Sequence, residues 1–277
     1  MAEELWLQLQ PSLPGFTVEV LPEVDSTNSE LMRRARTGHI DPILLVAESQ
    51  TAGRGRQGRT WISAPGDCLM YSLGLMMNPA DWSGLSLVVG LSIAESLQAN
   101  SRVETAAIGV KWPNDLWLAD GKKLGGTLIE TANVPSQSAA TILGNGPGNA
   151  RFVILGTGIN VRPLHAPDAK LSTPAACLQE LNPDWSAPSA LHHLLEPLFK
   201  DIQTFAHHGF APFVQRFAQR DVLRGKEVHL SDGRTGMAVG VSSDGSLQLQ
   251  MADGIHAIVS GEVSVRPLQM ALPRTAD

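Results

Sequence analysis

The stretch "TAGRGRQGRTW" (51–61) contains Gly53-Arg54-Gly55-Arg56-Gln57-Gly58, a literal match to G-x-G-x-x-G. The residues on its C-terminal side decide what the chain cannot be. A dinucleotide-binding loop must open a helix, because the pyrophosphate rests on that helix's N-terminus. Here the glycines run into "RTWISAPGDC", where Pro65 and Gly66 stop any helix of useful length, and no strand–helix–strand unit comes next at the required spacing. The doubly wound reading fails, and the loop needs another explanation.

The surrounding pattern supplies an architecture. "FTVEVLPEV" (16–24) alternates as a strand does, and "DSTNSELMRRARTG" (25–38) reads as a helix capped by Asp25 or Ser26 and stopped at Gly38. "PILLVAES" (42–49) and "CLMYSLGLMM" (68–77) are apolar runs of strand length, and "GLSLVVGLSIAESLQAN" (84–100) has the length of a helix. "IGVKWPNDLWLADGKKLGGTLIET" (108–131) predicts a strand, a Pro-bearing turn, a short strand, a hairpin at Asp120-Gly121 and another strand. "AATILG" and "RFVILGTGINV" are expected to form a further pair, and residues 162–188 to loop over the surface apart from 175–181. "APSALHHLLEPLFKDIQTFAHHG" and "FAPFVQRFAQRD" are helical patterns. Between 225 and 267 the turn signals Asp232-Gly233, Asp244-Gly245 and Asp253-Gly254 recur roughly every ten residues, the texture of a small barrel. The expectation is an α+β chain with a mixed or antiparallel sheet packed by helices in residues 1–220, and a small β-barrel in 221–277.

Charge narrows the function. The net charge is −6, so no global positive field recruits nucleic acid, and any anion must be met by a local basic feature. The two cysteines, Cys68 and Cys177, form no C-x-x-C, so neither a structural zinc site nor a disulfide framework is expected, and the composition suits a reducing cytoplasm. No run of about 18 apolar residues marks a membrane span. His192, His193, His207 and His208 have no carboxylate or cysteine at ligand spacing and read as ordinary core or surface residues. Between Ser49 and Gly66 the only charges are Arg54, Arg56 and Arg59. Glycines let backbone amides approach a ligand, and guanidinium forks match carboxylate and phosphate oxygens. Such a loop is expected to be disordered until an anion arrives; on its own it is equally readable as a solvated Arg/Gly loop or a nucleic-acid-binding segment.

Three motifs in order, "GRGRQGRTW", "KWPNDLWLADGKKLGGTLIE" and "GTGINV", preceded by "DSTN", resemble the biotin–protein ligases (biotin–acetyl-CoA-carboxylase ligases) from about residue 20 onward. The related lipoate ligases share the fold with a different Gly-rich signature, R-R-x-S-G-G-G, absent here. The resemblance implies a biotin/lipoate-ligase-like catalytic domain with an SH3-like C-terminal barrel. It implies ATP and biotin as substrates, with Mg²⁺ accompanying the nucleotide and no intrinsic metal. The reaction it implies passes through biotinyl-5'-AMP to a lysine of a biotin carboxyl carrier protein, with the enzyme a monomer or homodimer and neither nucleic acid nor membrane a partner.

It also implies roles for positions. Ser26, Thr27, Asn28, Gln50, Arg54, Gly55, Arg56, Lys123 and Gly126 match the biotin side, with Arg56 and Lys123 expected to bridge biotin carboxylate and α-phosphate. Lys123 is preferred over Lys122 because it adjoins Leu124. Arg59, Trp61, Lys111, Asn114 and Asn160 match the nucleotide side, and Asp115 either holds Mg²⁺ through water or orients the acceptor lysine. Ser26 can equally be only a helix cap and Trp61 only core, and Trp112 and Trp117 read as core. The D-S-T-N segment begins at residue 25, where a preceding helix-turn-helix would need about 60 residues, so repressor activity is not expected. Two other readings stand beside the enzyme, a ligase for another acid such as lipoate and a non-enzymatic single-strand nucleic-acid binder.

Overall fold

Ser26 starts the helix that carries the D-S-T-N segment. Its backbone is extended and its Oγ lies 3.5 Å from the Ser29 amide, at the long end of a capping bond. The computed structural model describes residues 1–102, 107–134, 141–148, 150–164, 173–259 and the strand at 265–267. In it the helix α2 runs Thr27–Arg36, after α1 (Ala2–Leu9) and β1 (Thr17–Leu21). Arg34 ties α2 to itself through Glu30 and to β1 through Glu19, and Arg33 reaches back to Asp25. Gly38, at φ 92°, then lets the chain turn away.

The apolar runs become strands: β2 (Ile43–Ala47), β3 (Cys68–Met77), β4 (Ile108–Lys111), β5 (Asp115–Leu118), β6 (Lys123–Ala132) and β7 (Arg151–Asn160). They form one seven-stranded mixed sheet in the order β1-β2-β3-β7-β6-β5-β4, in which β1 and β2 are parallel and the other neighbours antiparallel. Both faces are covered. Val153, Leu155 and Ile159 of β7 join a core with α1, α3 (Leu85–Gln98) and α4 (Ala187–His208), while Phe152 and Ile154 join a second core under α2. Each such side chain contributes about 1.5–3 kcal/mol relative to exposure, which is why these strands read as unbroken apolar runs.

The expected pairing of "AATILG" with β7 does not occur among the described residues. Leu143 instead bridges Met77 at the end of β3, with Leu143 N donating to Met76 O and Asn78 N to Leu143 O. "FAPFVQRFAQRD" is helical only in part, a 3-10 turn at Ala211–Phe213 leading into α5 (Val214–Ala218).

After α5, residues 220–222 lie along β4: Val110 N donates to Arg220 O (2.7 Å) and Val222 N to Val110 O (3.1 Å). Gly109 has to be glycine there, since a Cβ would stand 2.5 Å from Val222. Beyond it β8 (Glu227–Leu230), β9 (Thr235–Val241), β10 (Leu247–Met251), β11 (Gly254–Ile258) and β12 (Val265–Pro267) form an antiparallel sheet in the order β11-β10-β9-β8-β12, the small sheet expected of an SH3-like unit. Glycines at the predicted turns, Gly233, Gly245 and Gly254, all take positive φ. Trp112, nearly fully buried, donates from Nε1 to Gly245 O (3.0 Å) and so fastens the K-W-P-N-D turn to this sheet.

Candidate active site

The start of α2, the Arg/Gly loop, the β4–β5 turn, the β6 hairpin and the end of β7 surround one cavity of about 590 Å³. Every position singled out in the sequence lines it: Ser26, Thr27, Asn28, Gln50, Arg54, Gly55, Arg56, Arg59, Trp61, Lys111, Asn114, Asp115, Lys123, Gly126 and Asn160.

One end is built from short polar groups. Gln50 Oε1 accepts from the Thr27 amide (2.7 Å) and hydroxyl (3.2 Å), and Gln50 Nε2 donates to Met70 Sδ. Ser72 Oγ, on β3, donates to Asn28 Oδ1 (2.6 Å) and lies 2.7 Å from Thr27 Oγ1. Asn28 Nδ2 donates to Leu128 O (3.0 Å) and Glu130 Oε2 (2.9 Å), which fixes the amide's orientation. Thr27, Asn28 and Ser72 are buried and Gln50 half-buried, and their mutual bonds hold these side chains in place.

The other end is cationic. Lys123 Nζ donates to Asp115 Oδ1 (2.7 Å), and the Lys111 ammonium, on a buried side chain, stands 5.0 Å above the Trp117 ring. Lys122 points the other way, pairing with Asp120 and Glu180. The register shift between Leu116 and Trp117 in the β5–β6 pairing is where the two lysines part company. Asn114 Nδ2 closes its turn onto Thr127 O (2.7 Å). Six basic side chains line the cavity, Arg54, Arg56, Arg59, Lys111, Lys123 and Lys226, against two acidic ones, Asp115 and Asp120, so a net −6 protein presents a positive interior here.

Between the two ends the loop folds back on itself. Gly55 N donates to Arg59 O (2.7 Å), Trp61 N to Gly53 O (2.9 Å), and Arg54 bridges Thr60, so 53–61 is a small hairpin with Gln57 and Gly58 left-handed at its tip. Burial lowers the Arg56 guanidinium below its ordinary value; the Asp115 charge opposes this and Arg59 adds to it. Desolvation of a cation this far above neutrality leaves it charged while strengthening its pull on an anion.

The comparisons with known proteins agree with this geometry. Residues 20–146 match the Biotin/lipoate A/B protein ligase family and residues 225–266 the Biotin protein ligase C terminal domain. The bifunctional ligase/repressor BirA of Escherichia coli is 33% identical over 269 residues, spanning 94% of this chain and 77% of that one. The chain belongs to the biotin protein ligase family. The biotin–[acetyl-CoA-carboxylase] ligase of Paracoccus denitrificans is 29% identical across 88% of this chain and 98% of its own. The biotin protein ligase from Aquifex aeolicus, solved in complex with biotin and ATP, superposes with a TM-score of 0.73 at 30% identity, over 91% of this chain and 99% of that one.

In this biotin protein ligase several contributors were not visible in the motifs. Residues 49–66 carry no acid of their own, yet folding brings acids to their arginines: the Asp115 charge on β5 acts on Arg56 and Glu130 on β6 pairs with Arg54. The two glycines of "GTGIN" matter by absence. A Cβ on Gly156 would stand 2.0 Å from Asn28 Oδ1, and one on Gly158 2.6 Å from the Trp61 indole, so each glycine seats one site residue. Trp61 therefore lies flat on β7 with its Nε1 buried, and Trp117, expected in the core, is buried yet lends one ring face to Lys111. Asn160 lines the cavity with its amide already donating to Ala176 O (2.9 Å) and its Oδ1 accepting from Cys68. Lys226, just ahead of β8, had no signal at all.

Proposed function

We propose that this chain activates biotin with ATP and transfers it to a lysine of a biotin carboxyl carrier protein. The observation that carries the reading is the convergence of segments near residues 26, 54, 115 and 160 on one positive cavity with a bonded polar end. In the first step a biotin carboxylate oxygen bonds to the α-phosphorus of ATP, and the bond to the β-phosphate oxygen breaks to release pyrophosphate. In the second the acceptor amine attacks the carbonyl carbon of the mixed anhydride, and AMP leaves.

Ser26, Thr27, Asn28, Gln50 and Gly126 form the end where the ureido ring finds short donors and acceptors. Arg54, Gly55 and Arg56 belong to the lid, and Arg56 and Lys123 bring carboxylate and α-phosphate together by neutralising both. Arg59, Trp61, Lys111, Asn114 and Asn160 make the nucleotide end, Trp61 through its flat indole. Charge accumulates on phosphorus oxygens, so positioning and electrostatic stabilisation account for the rate. The hairpin keeps water from the anhydride. Mg²⁺ would accompany the nucleotide. Asp115, bonded to Lys123, is the cavity carboxylate placed to meet that ion through water or the acceptor amine.

We further take residues 1–220 as the catalytic domain and 221–277 as a second domain, acting as monomer or homodimer. Among the described residues no helix is long and apolar enough to cross a membrane, and a cytoplasmic setting fits the reaction. The test is isotope exchange between pyrophosphate and ATP, run with biotin and then with lipoate. Exchange that requires biotin supports the reading; exchange with lipoate alone reassigns the acid, and none with either, alongside salt-sensitive oligonucleotide binding, returns the loop to the nucleic-acid alternative.

A further inference from the structure

We propose that Glu130 is a positioning residue that latches the Arg/Gly hairpin to the biotin-facing end of the cavity. The proposal rests on the ligase reading only for its consequence in the reaction; the latch itself is a property of the fold. Glu130 stands on β6 in the row with Gly126 and Leu128 that faces α2. Its carboxylate takes three donors: Asn28 Nδ2 at 2.9 Å, Arg54 Nη2 at 3.0 Å and Arg54 Nη1 at 3.3 Å. The same Arg54 nitrogen reaches Ser29 Oγ at 3.3 Å. One side chain thus joins β6, the first turn of α2 and the root of the hairpin.

A carboxylate here is otherwise a liability. The cavity gathers a carboxylate and a phosphate, and an acid beside it repels both. Glu130 offsets that cost because its charge is spent on Arg54. Arg54, whose backbone bridges Thr60, becomes the anchor of the hairpin, while Arg56 lies near the tip on the cavity wall. Because Asn28 and Arg54 share one acceptor, the amide that meets biotin and the root of the lid move as a unit. Holding the recognition end in place then holds the lid, and water is kept from the anhydride until the acceptor amine arrives.

Glu130→Gln separates the two contacts: the amide oxygen still accepts from Asn28, but the second anionic oxygen for the guanidinium fork is gone. Arg54→Lys removes the fork from the other side and keeps the charge. With neither biotin nor ATP added, trypsin should cut the loop after Arg56 and Arg59 about three- to fivefold faster in Glu130→Gln than in wild type, the range expected for losing a half-exposed bidentate pair. The thermal midpoint should stay within a few degrees. The double variant should be cut no faster than the faster single, since both remove one interaction. In the complete reaction Glu130→Gln should release more AMP per carrier labelled, and Glu130→Asp should restore part of the coupling. Wild-type cleavage rates in Glu130→Gln, or additive effects in the double variant, overturn the latch. A lowered midpoint in Glu130→Gln transfers the decision to Arg54→Lys, whose side chain is half-exposed. Absence of biotin-dependent exchange in wild type overturns the ligase reading instead, and the cleavage rates still decide the latch.

Discussion

Lys123 Nζ lies 2.7 Å from Asp115 Oδ1 inside the cavity, while its neighbour Lys122 faces outward to Asp120 and Glu180. Adjacent lysines on a regular strand would point to opposite faces in any case; the register shift opposite Leu116 and Trp117 sets which one turns inward. Lys123→Ala should therefore lose adenylate formation by about 100- to 1,000-fold, the cost of removing one charged donor to a developing oxyanion. Lys122→Ala should change it less than about threefold, since it removes only exposed ion pairs. Pyrophosphate exchange on the two variants checks this, and a sensitive Lys122 would reverse the assignment.

The β7 glycines give a second, sterically sharper pair. Gly156→Ala pushes a methyl into Asn28, and Gly158→Ala pushes one into Trp61. The first should raise the KM for biotin and the second the KM for ATP, each by about tenfold or more, because a displacement near 1 Å in a positioning group costs about 100-fold at worst. Both KM values measured on both variants settle it; a uniform loss in each would mean the sheet itself had been disturbed.

The hairpin should tighten when biotin and ATP are added. Arg54 and Arg59 are exposed and the tip places Gln57 in a left-handed conformation that a non-glycine residue adopts at a cost of about 1 kcal/mol. Trypsin cleavage after Arg56 should slow by about tenfold with both ligands, as expected of a loop whose opening is opposed by bound anions. Equal cleavage with and without them would remove the lid from the mechanism.

Asp221 makes stability depend on pH in a direction opposite to most carboxylates. Burial raises its pKa above the ordinary 3.8, while the Leu223 amide lowers it; Oδ1 accepts that amide at 2.9 Å and Oδ2 has no partner. A raised folded-state pKa means the folded chain binds this proton more tightly than the unfolded one. Its contribution is full below pH 3.8 and is lost as pH rises through the higher folded value. Asp221→Asn keeps the acceptor for Leu223 and drops the charge. Relative to wild type it should gain stability as pH climbs from about 4 toward 6, measured by urea midpoints, and a flat difference would discard the idea.

Local structure was the legible part. A Ser ahead of a helical pattern, apolar runs bounded by turn residues, and Asp-Gly pairs at hairpins all act within a few residues, and the elements appear where those signals stand. The cavity's motif-borne residues were legible for the same reason. What the chain did not announce are the long-range partners. Ser72 reads as one polar residue in an apolar strand until β3 is laid beside β7 and Asn28 falls over it. Glu130 reads as a surface acid until the loop folds back 76 residues away in sequence to meet it. "AATILG" had strand composition, yet among its described residues, 141–144, only Leu143 pairs with a strand, at the end of β3.

The fastening of the K-W-P-N-D turn to the second sheet changes how a shortened chain should be interpreted. A protein ending near residue 220 would lose the carbonyl that receives the Trp112 indole and the Val222 amide that bonds Val110 O on β4. It would also uncover the share of the main core supplied by Val228, Leu230, Leu247 and Leu249. Such a fragment should lose solubility together with activity, so its inactivity would not separate the contribution of Lys226, which lines the cavity, from that of the sheet. The informative comparison keeps every strand and alters one ammonium, Lys226→Ala against wild type, with solubility matched first.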